Sequence, residues 1–212
     1  RHPGAVRRPR GQPVRPALRV LDTGPLTLVQ DGGRPGLAAV GVACSGAADR
    51  ASHSLGARLV GQHPELAGLE VVLGGLVVRA MGRVTLALTG APAPATLDGR
   101  PAPHQALIDV PDGAVLRLGR PEAGLRTYLA VRGGIDVPPV LGSRSTDVLS
   151  GVGPRAVRDG DVLPVGPPPA THPVLDHVAA PPWEPGPVHL RVLPGPRAAW
   201  VGGLSALIRP AW

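Results

Sequence analysis

Gly68 to Gly90 reads GLEVVLGGLVVRAMGRVTLALTG, and this stretch sets the fold class. Its apolar runs Leu69–Leu73, Leu76–Ala80 and Val84–Thr89 have the length of strands, about half that of an ordinary helix. Paired glycines between the first two runs predict a β-hairpin turning at Gly74-Gly75. The pattern continues downstream with a turn at Asp98-Gly99, a strand over Gly113–Leu118 and another over Thr127–Val131. A last run covers Asp159–Val165. Upstream, Ala17–Leu21 and Leu26–Gln30 read as strands, separated by Asp22-Thr23-Gly24-Pro25 and closed by the turn Asp31-Gly32-Gly33-Arg34-Pro35-Gly36. Short strands at roughly ten-residue spacing, parted by Gly and Pro turns, predict a mainly-β barrel or sandwich. A helix is expected over Ser45–Leu59, capped by Ser45, with Asp49 and Arg50 in its first turn.

Composition narrows the function classes. The chain has 212 residues, a formal charge of +7, 30 glycines, 28 prolines and no phenylalanine. All 22 basic side chains are arginines, which fits a G+C-rich coding bias. Five of them lie in the first 15 residues, RHPGAVRRPRGQPVR, so most of the excess charge sits in a tail (residues 1–17) expected to be disordered. The remainder is nearly balanced and poor in aromatics, which argues against a nucleic-acid partner. No apolar stretch reaches the ~18 residues of a membrane span and no signal peptide is visible, so a cytoplasmic location is expected. Cys44 is the one cysteine; it is read as a small buried or half-buried thiol, and no disulfide or Cys-based metal cage is expected.

Residues 167–187 are read as a Pro-rich linker, with eight prolines between Gly166 and Pro187. Beyond it, Val188–Leu193 is expected to be a strand and Trp200–Trp212 a helix, together too short to bury a core of their own.

The chemistry-bearing stretch is Val131–Gly153, VRGGIDVPPVLGSRSTDVLSGVG. Between Gly142 and Gly151 it gathers Ser143, Arg144, Ser145, Thr146 and Asp147. Such a segment suits an anionic ligand, through hydroxyls, backbone N–H groups and a guanidinium fork, and equally suits a polar surface loop. Phosphate-loop, nucleophile-elbow and HExxH signatures are missing, and no metal site is expected. Asp31 and Asp49 lie where a carboxylate could act as a base or cap a turn. Glu70 stands inside an apolar run and needs a partner. Arg34 and Arg132 each leave a glycine-rich turn and could supply that charge or bind a carboxylate.

These stretches, in this order, resemble the allophanate hydrolase subunit 2 family: LDTGPLTLVQDGGRPG (Leu21–Gly36), GVACSGAADR (Gly41–Arg50), GLEVVLGG (Gly68–Gly75), LTGAPAPATLDGRP (Leu88–Pro101), LRTYLAVRGGIDVPPVLGSRSTDVLSGVG (Leu125–Gly153) and LRVLPGPR (Leu190–Arg197). The family comprises the C-type subunit of bacterial ATP-dependent 5-oxoprolinase, KipA-type proteins and the corresponding carboxyltransferase part of urea carboxylase. The resemblance implies a cyclophilin-like β-barrel over residues 18–166 and the start of a second β subdomain over 188–212. Family members continue past Trp212, so the chain reads as truncated, which puts its own activity in question. They also usually carry Asn where this chain has Ala57 and Gln62.

The resemblance further implies a hydrolase component that opens the 5-oxoproline lactam to glutamate with ATP, with Mg. Its implied partners are the A-type subunit of 5-oxoprolinase and the cyclophilin-like B-type subunit. Under that reading Asp31, Asp49, Arg132 and Arg144 are the catalytic candidates. Gln30, Arg34, Ser45, Ser143, Ser145 and Asp147 are the substrate-binding candidates. Alternatives are a KipA-type regulator that binds a kinase inhibitor, and an amide carboxyltransferase using carboxybiotin. In the latter, biotin must arrive on another chain or domain, because a biotin-accepting lysine is absent here.

Overall fold

A computed structural model describes residues 15–179, 186–187, 191–203 and 205–208 of the chain. Two compact units are present, Arg1–Pro181 and Pro182–Trp212. The first holds every strand among the described residues: β1 (Ala17–Thr23), β2 (Leu26–Gln30), β3 (Gly68–Val72), β4 (Leu76–Met81), β5 (Val84–Gly90), β6 (Ala95–Leu97), β7 (Arg100–Ala102), β8 (Leu107–Val110), β9 (Val115–Leu118), β10 (Arg126–Val131) and β11 (Val162–Pro164), with helix α1 (Arg50–Leu59) between β2 and β3.

The strands form two antiparallel sheets, β11-β1-β4-β9-β6-β7 and β2-β3-β10-β5-β8, so the mainly-β expectation holds. The observed strand pairings do not join the two sheets into a closed barrel. Alternation along each strand sends Leu18, Val20, Val78, Leu116, Leu69, Leu86, Leu88, Leu129 and Val131 into one apolar core between the sheets.

One expected hairpin is not there. β3 and β4 belong to different sheets, so Leu73-Gly74-Gly75 is a corner between layers. All three residues have positive φ (58°, 72° and 86°), and their amides bond away from each other's strand: Leu73 N to Leu125 O, Gly75 N to Leu118 O. The β1–β2 turn is a second such corner packed on the first: a Cβ on Gly24 would lie 2.2 Å from Gly74 O. Only glycine backbones approach that closely. Asp98-Gly99, by contrast, is a true two-residue hairpin turn between β6 and β7, with φ of 47° and 80°.

The second face of the β2-β3-β10-β5-β8 sheet carries α1, whose Leu59 and Val60 pack on Ala87 and Ala130. The helix begins at Arg50, later than a Ser45 cap would place it. Ser45 sits at φ 54° and Gly46 at 92°, outside helical backbone. Asp49 is the N-cap, accepting from Ser52 N at 3.0 Å and Ser52 Oγ at 2.5 Å.

Up to Ala179 the Pro-rich stretch is a docked strap. Leu107 N donates to Asp176 O and Val178 N to Gln105 O, both at 2.8 Å, while Leu175 and Val178 pack on the α1 cluster. In the second unit, Arg191–Leu193 forms no strand. A 3-10 turn (Ala198–Val201) places Arg197 5.2 Å above the Trp200 ring, and a short helix follows, α2 (Ser205–Ile208). Val188–Leu190 and the end of the expected helix beyond α2 lie outside the described residues.

Candidate functional site

At one end of the β2-β3-β10-β5-β8 sheet, the turn after β2 meets the long loop after β10. Their junction is the Asp31 carboxylate, 5% exposed. Its Oδ1 accepts from Ser143 Oγ and Ser145 Oγ, each at 2.6 Å, and from Gly33 N at 2.7 Å; its Oδ2 accepts from Arg144 N at 2.6 Å. Ser145 Oγ in turn accepts from Asp31 N at 3.0 Å. Burial alone pushes this carboxyl's pKa up, but the two serine hydroxyls and the Arg144 and Gly33 amides outweigh it and hold the group below the usual carboxylate range. The loop reaches Asp31 through a tight turn at Leu141-Gly142 (φ 50° and 80°), which pairs Val140 with Ser143.

Arg34, 2% exposed, lies beside this junction. Its guanidinium donates to Ser145 O at 2.5 Å, to Ser45 Oγ at 2.9 Å and to Val140 O at 3.4 Å. No carboxylate among the described residues pairs with it directly. Ser45 Oγ relays the charge instead, donating to Asp147 Oδ2 at 2.9 Å. The left-handed backbone of Ser45 makes this relay possible, and the neighbouring turn backbones interlock without room for side chains: a Cβ on Gly33 would sit 2.5 Å from Cys44 O. The Ser150 amide, the Ser45 hydroxyl and the Leu149 amide hold the Asp147 carboxyl down to about 2.

Gln30 completes the junction, donating from Nε2 to Thr146 O at 2.9 Å. Its Oε1 and the Thr146 hydroxyl are buried without a partner among the described residues, so a donor or acceptor reaching them would recover about 1–3 kcal/mol each. Arg144 turns outward: Nε donates to Val137 O at 2.7 Å and Nη2 to Asp136 Oδ1 at 3.0 Å, with the side chain 28% exposed. A cavity of about 340 Å³ opens next to the loop, lined by Thr146, Asp147, Gly153 and Arg155 among others.

Eight of the ten candidate residues thus converge: Gln30, Asp31, Arg34, Ser45, Ser143, Arg144, Ser145 and Asp147. Asp49 and Arg132 stand apart. Asp49 caps α1, as described. Arg132 spends its terminal N–H groups on backbone carbonyls, with Nη1 at 2.8 Å from Val60 O and 3.4 Å from Gly61 O, and Nη2 on Pro169 O (2.9 Å) and Thr171 O. It ties the strap to the end of α1. Gln62 works on the same side, accepting from Gly133 N at 2.8 Å, whereas Ala57 is simply buried. Cys44 is exposed, not half-buried, with Arg50 Nη2 3.3 Å from its sulfur. The described residues contain no cluster of three or more His, Cys, Asp or Glu able to hold a metal, and no helix there is long and apolar enough to cross a membrane.

Residues 40–212 match the model of the carboxyltransferase domain, subdomain A and B. The chain belongs to that family. This carboxyltransferase-domain chain is 42% identical over 152 residues to the C-type subunit of 5-oxoprolinase from Escherichia coli, covering 70% of the chain and 49% of that protein. It is 39% identical over 151 residues to urea amidolyase of Saccharomyces cerevisiae, covering 69% of the chain and 8% of that protein. Among solved structures, TTHA0988 superposes with a TM-score of 0.73 at 37% identity, covering 85% of the chain and 67% of the other. The urea amidolyase of K. lactis gives 0.70 at 34% identity, covering 80% and 11%. The chain spans about half the length of the 5-oxoprolinase subunits it matches.

The carboxyltransferase-domain chain holds a second polar cluster, only one member of which, Glu70, stood out in the sequence. Strand alternation turns Glu70, Tyr128 and Arg126 onto the face under α1, because Glu70 pairs with Tyr128 across β3–β10. Glu70, 3% exposed, accepts from Ala48 N (2.9 Å), Tyr128 OH (2.7 Å) and Arg126 Nε (2.9 Å). Burial, then the Glu70 carboxylate, push the Tyr128 phenol well above its usual range. The available signal was the i, i+2 spacing of Arg126 and Tyr128 in a strand, which puts both on Glu70's face.

Proposed function

We propose that this chain acts as the C-type subunit of an ATP-dependent 5-oxoprolinase, working with the A-type and B-type subunits to open the 5-oxoproline lactam to glutamate. The supporting observation is the Asp31-locked junction. It presents a rigid loop whose outward guanidinium, Arg144, keeps Nη1 without a hydrogen-bond partner among the described residues. A lactam is a poor electrophile, and phosphorylating its oxygen gives the carbonyl carbon a path to attack by water, with C–N cleavage and release of phosphate in a second hydrolysis. In this scheme Arg144 faces the carboxylate or phosphoryl oxygens, and Arg34 with Ser45 and Asp147 fixes the loop that carries it.

Asp31 is not the general base in this reading: its two oxygens already accept four hydrogen bonds, and its depressed pKa makes it a weak proton acceptor. The donor set does not fit magnesium either, since Asp31 and Asp147 are both spent on hydrogen bonds and no third ligand converges among the described residues. In this reading the magnesium is held outside the described residues of the chain.

The test is 5-oxoproline-dependent ATP hydrolysis by the chain assembled with the A-type and B-type subunits. Arg144→Ala is expected to lower turnover at least tenfold while the complex still assembles. A soluble assembled complex without turnover, also when the C-type subunit has the full length of its relatives, overturns the reading. The likeness to urea amidolyase supports a second one, carboxyl transfer from carboxybiotin to an amide nitrogen, and that reading requires urea-dependent conversion of carboxybiotin to biotin with the carboxyl group recovered on the urea nitrogen instead.

A further inference from the structure

Beneath the start of α1, and separate from the Asp31 junction, lies a cavity of about 260 Å³ lined by Ala48, Asp49, Ala91, Gly124, Leu125 and Arg126. The Arg126 guanidinium in its wall is fixed at one end only, by Nε on the buried Glu70 Oε1 at 2.9 Å. Its two terminal amino groups have no hydrogen-bond partner among the described residues, although the side chain is just 36% exposed. Glu70 is itself immobilised by Ala48 N and Tyr128 OH, and Tyr128 OH accepts from Asp49 N at 2.8 Å. The fork is therefore held in one orientation before any ligand arrives, which lowers the cost of ordering it.

Charge decides what it would hold. Arg126 and Glu70 cancel, and Asp49 adds a negative charge at the cavity wall, its helix-facing bonds to Ser52 leaving each oxygen further acceptor capacity. A phosphate or a dicarboxylate entering here meets net negative charge. A neutral group with an acceptor oxygen beside an N–H donor meets a matching pair, with N–H groups of Arg126 for the oxygen and the Asp49 carboxylate for the donor. Ala48, Ala91 and Leu125 supply an apolar wall for a small carbon frame.

We infer that this cavity is a binding subsite for the amide edge of a small neutral molecule, with Arg126 on the carbonyl oxygen and Asp49 on the N–H. The inference rests on the amide-opening reading above only for the choice of probe.

The experiment is titration of the whole isotope-labelled chain with 2-pyrrolidone, followed by backbone amide shifts, with acetate and inorganic phosphate as comparison probes. Saturable shifts at Ala48, Asp49, Ala91, Gly124 and Leu125 are expected with 2-pyrrolidone and not with phosphate. Arg126→Lys, which keeps a cation for Glu70, is expected to weaken binding at least tenfold with the Ala48 and Asp49 resonances otherwise in place. Asp49→Ser, which keeps a cap for α1, is expected to weaken it about as much. Shifts confined to the Asp31 junction, no saturable shift, or undiminished binding by Arg126→Lys would each overturn the inference. Because binding is read without turnover, absent oxoprolinase activity leaves this test intact, and absent pyrrolidone binding leaves the Arg144 assay intact.

Discussion

Replacing Asp31 by Asn tests whether the carboxylate holds the two turns together. The substitution changes almost no volume, so its effect is one of charge and hydrogen bonding. With the amide oxygen in the Oδ1 place, bonds from Ser143, Ser145 and Gly33 survive as neutral ones, each weaker by roughly 0.5–1 kcal/mol than a bond to a charged acceptor. The amide nitrogen then faces the Arg144 N–H, which now lies 2.6 Å from the carboxylate; a donor opposite a donor costs about 1–3 kcal/mol. Easier burial of a neutral side chain offsets part of this, and the net loss is about 3 kcal/mol. For a domain of this size that is a fall of about 6–12 °C in Tm. Urea unfolding followed by circular dichroism measures it. Asp109→Asn is the control, since that carboxylate is 59% exposed in a surface pair with Arg83 and is expected to change stability by under about 0.5 kcal/mol. Trypsin adds a local readout, with faster cleavage after Arg144 in Asp31→Asn as the loop loosens. If Asp31→Asn is as stable as the control variant, the junction is not held by the charge and the reasoning is wrong.

Tyr128→Phe leaves the Asp49 amide without its acceptor and removes one donor from Glu70, so a loss of about 1–3 kcal/mol is expected in the same unfolding assay. Arg132→Ala frees four strap and helix-end carbonyls, and hydrogen exchange at Leu107 and Val178, whose amides bond across the strap, is expected to quicken before the core does. Asp31 and Asp147 both have pKa values below those of an unfolded chain, so the unfolded chain takes up more protons in acid. Stability is accordingly full above about pH 4 and falls as pH drops toward 2; Asp147→Asn should flatten that slope in urea midpoints measured across the range. Gly74→Ala puts a Cβ 2.0 Å from Gly119 O at φ 72°, and is expected to lower Tm or abolish soluble expression, whereas Gly99→Ala, with open space around it, should cost far less.

Local sequence rules located most strands, because turn chemistry is a local property. They failed at Gly74-Gly75 because the same residues serve a hairpin and a layer-to-layer corner. What separates the two is where Leu73 N and Gly75 N find acceptors, Leu125 O and Leu118 O, and both lie more than 40 residues away in the chain. The helix start was misplaced for a related reason. Ser45 has the side chain of a cap, but its hydroxyl is claimed by Arg34 and Asp147, which leaves the cap to Asp49.

The candidate site shows the same division. Eight residues chosen on motif resemblance do meet in space, yet their hydrogen bonds give them unequal chemistry. Asp31, Ser143 and Ser145 are bound to one another and define the loop's shape. Arg34 is enclosed and reaches Asp147 only through Ser45. Of the arginines, Arg132 is occupied by carbonyls of the strap and of the end of α1, while Arg144 and Arg126 retain N–H groups unpaired among the described residues. A motif can mark a guanidinium as present; only the bonding around it separates one that ties the fold from one that can still take a ligand. Arg126 belongs to the second kind although it was not among the candidate residues, because the acid that fixes it, Glu70, comes from a strand 56 residues earlier.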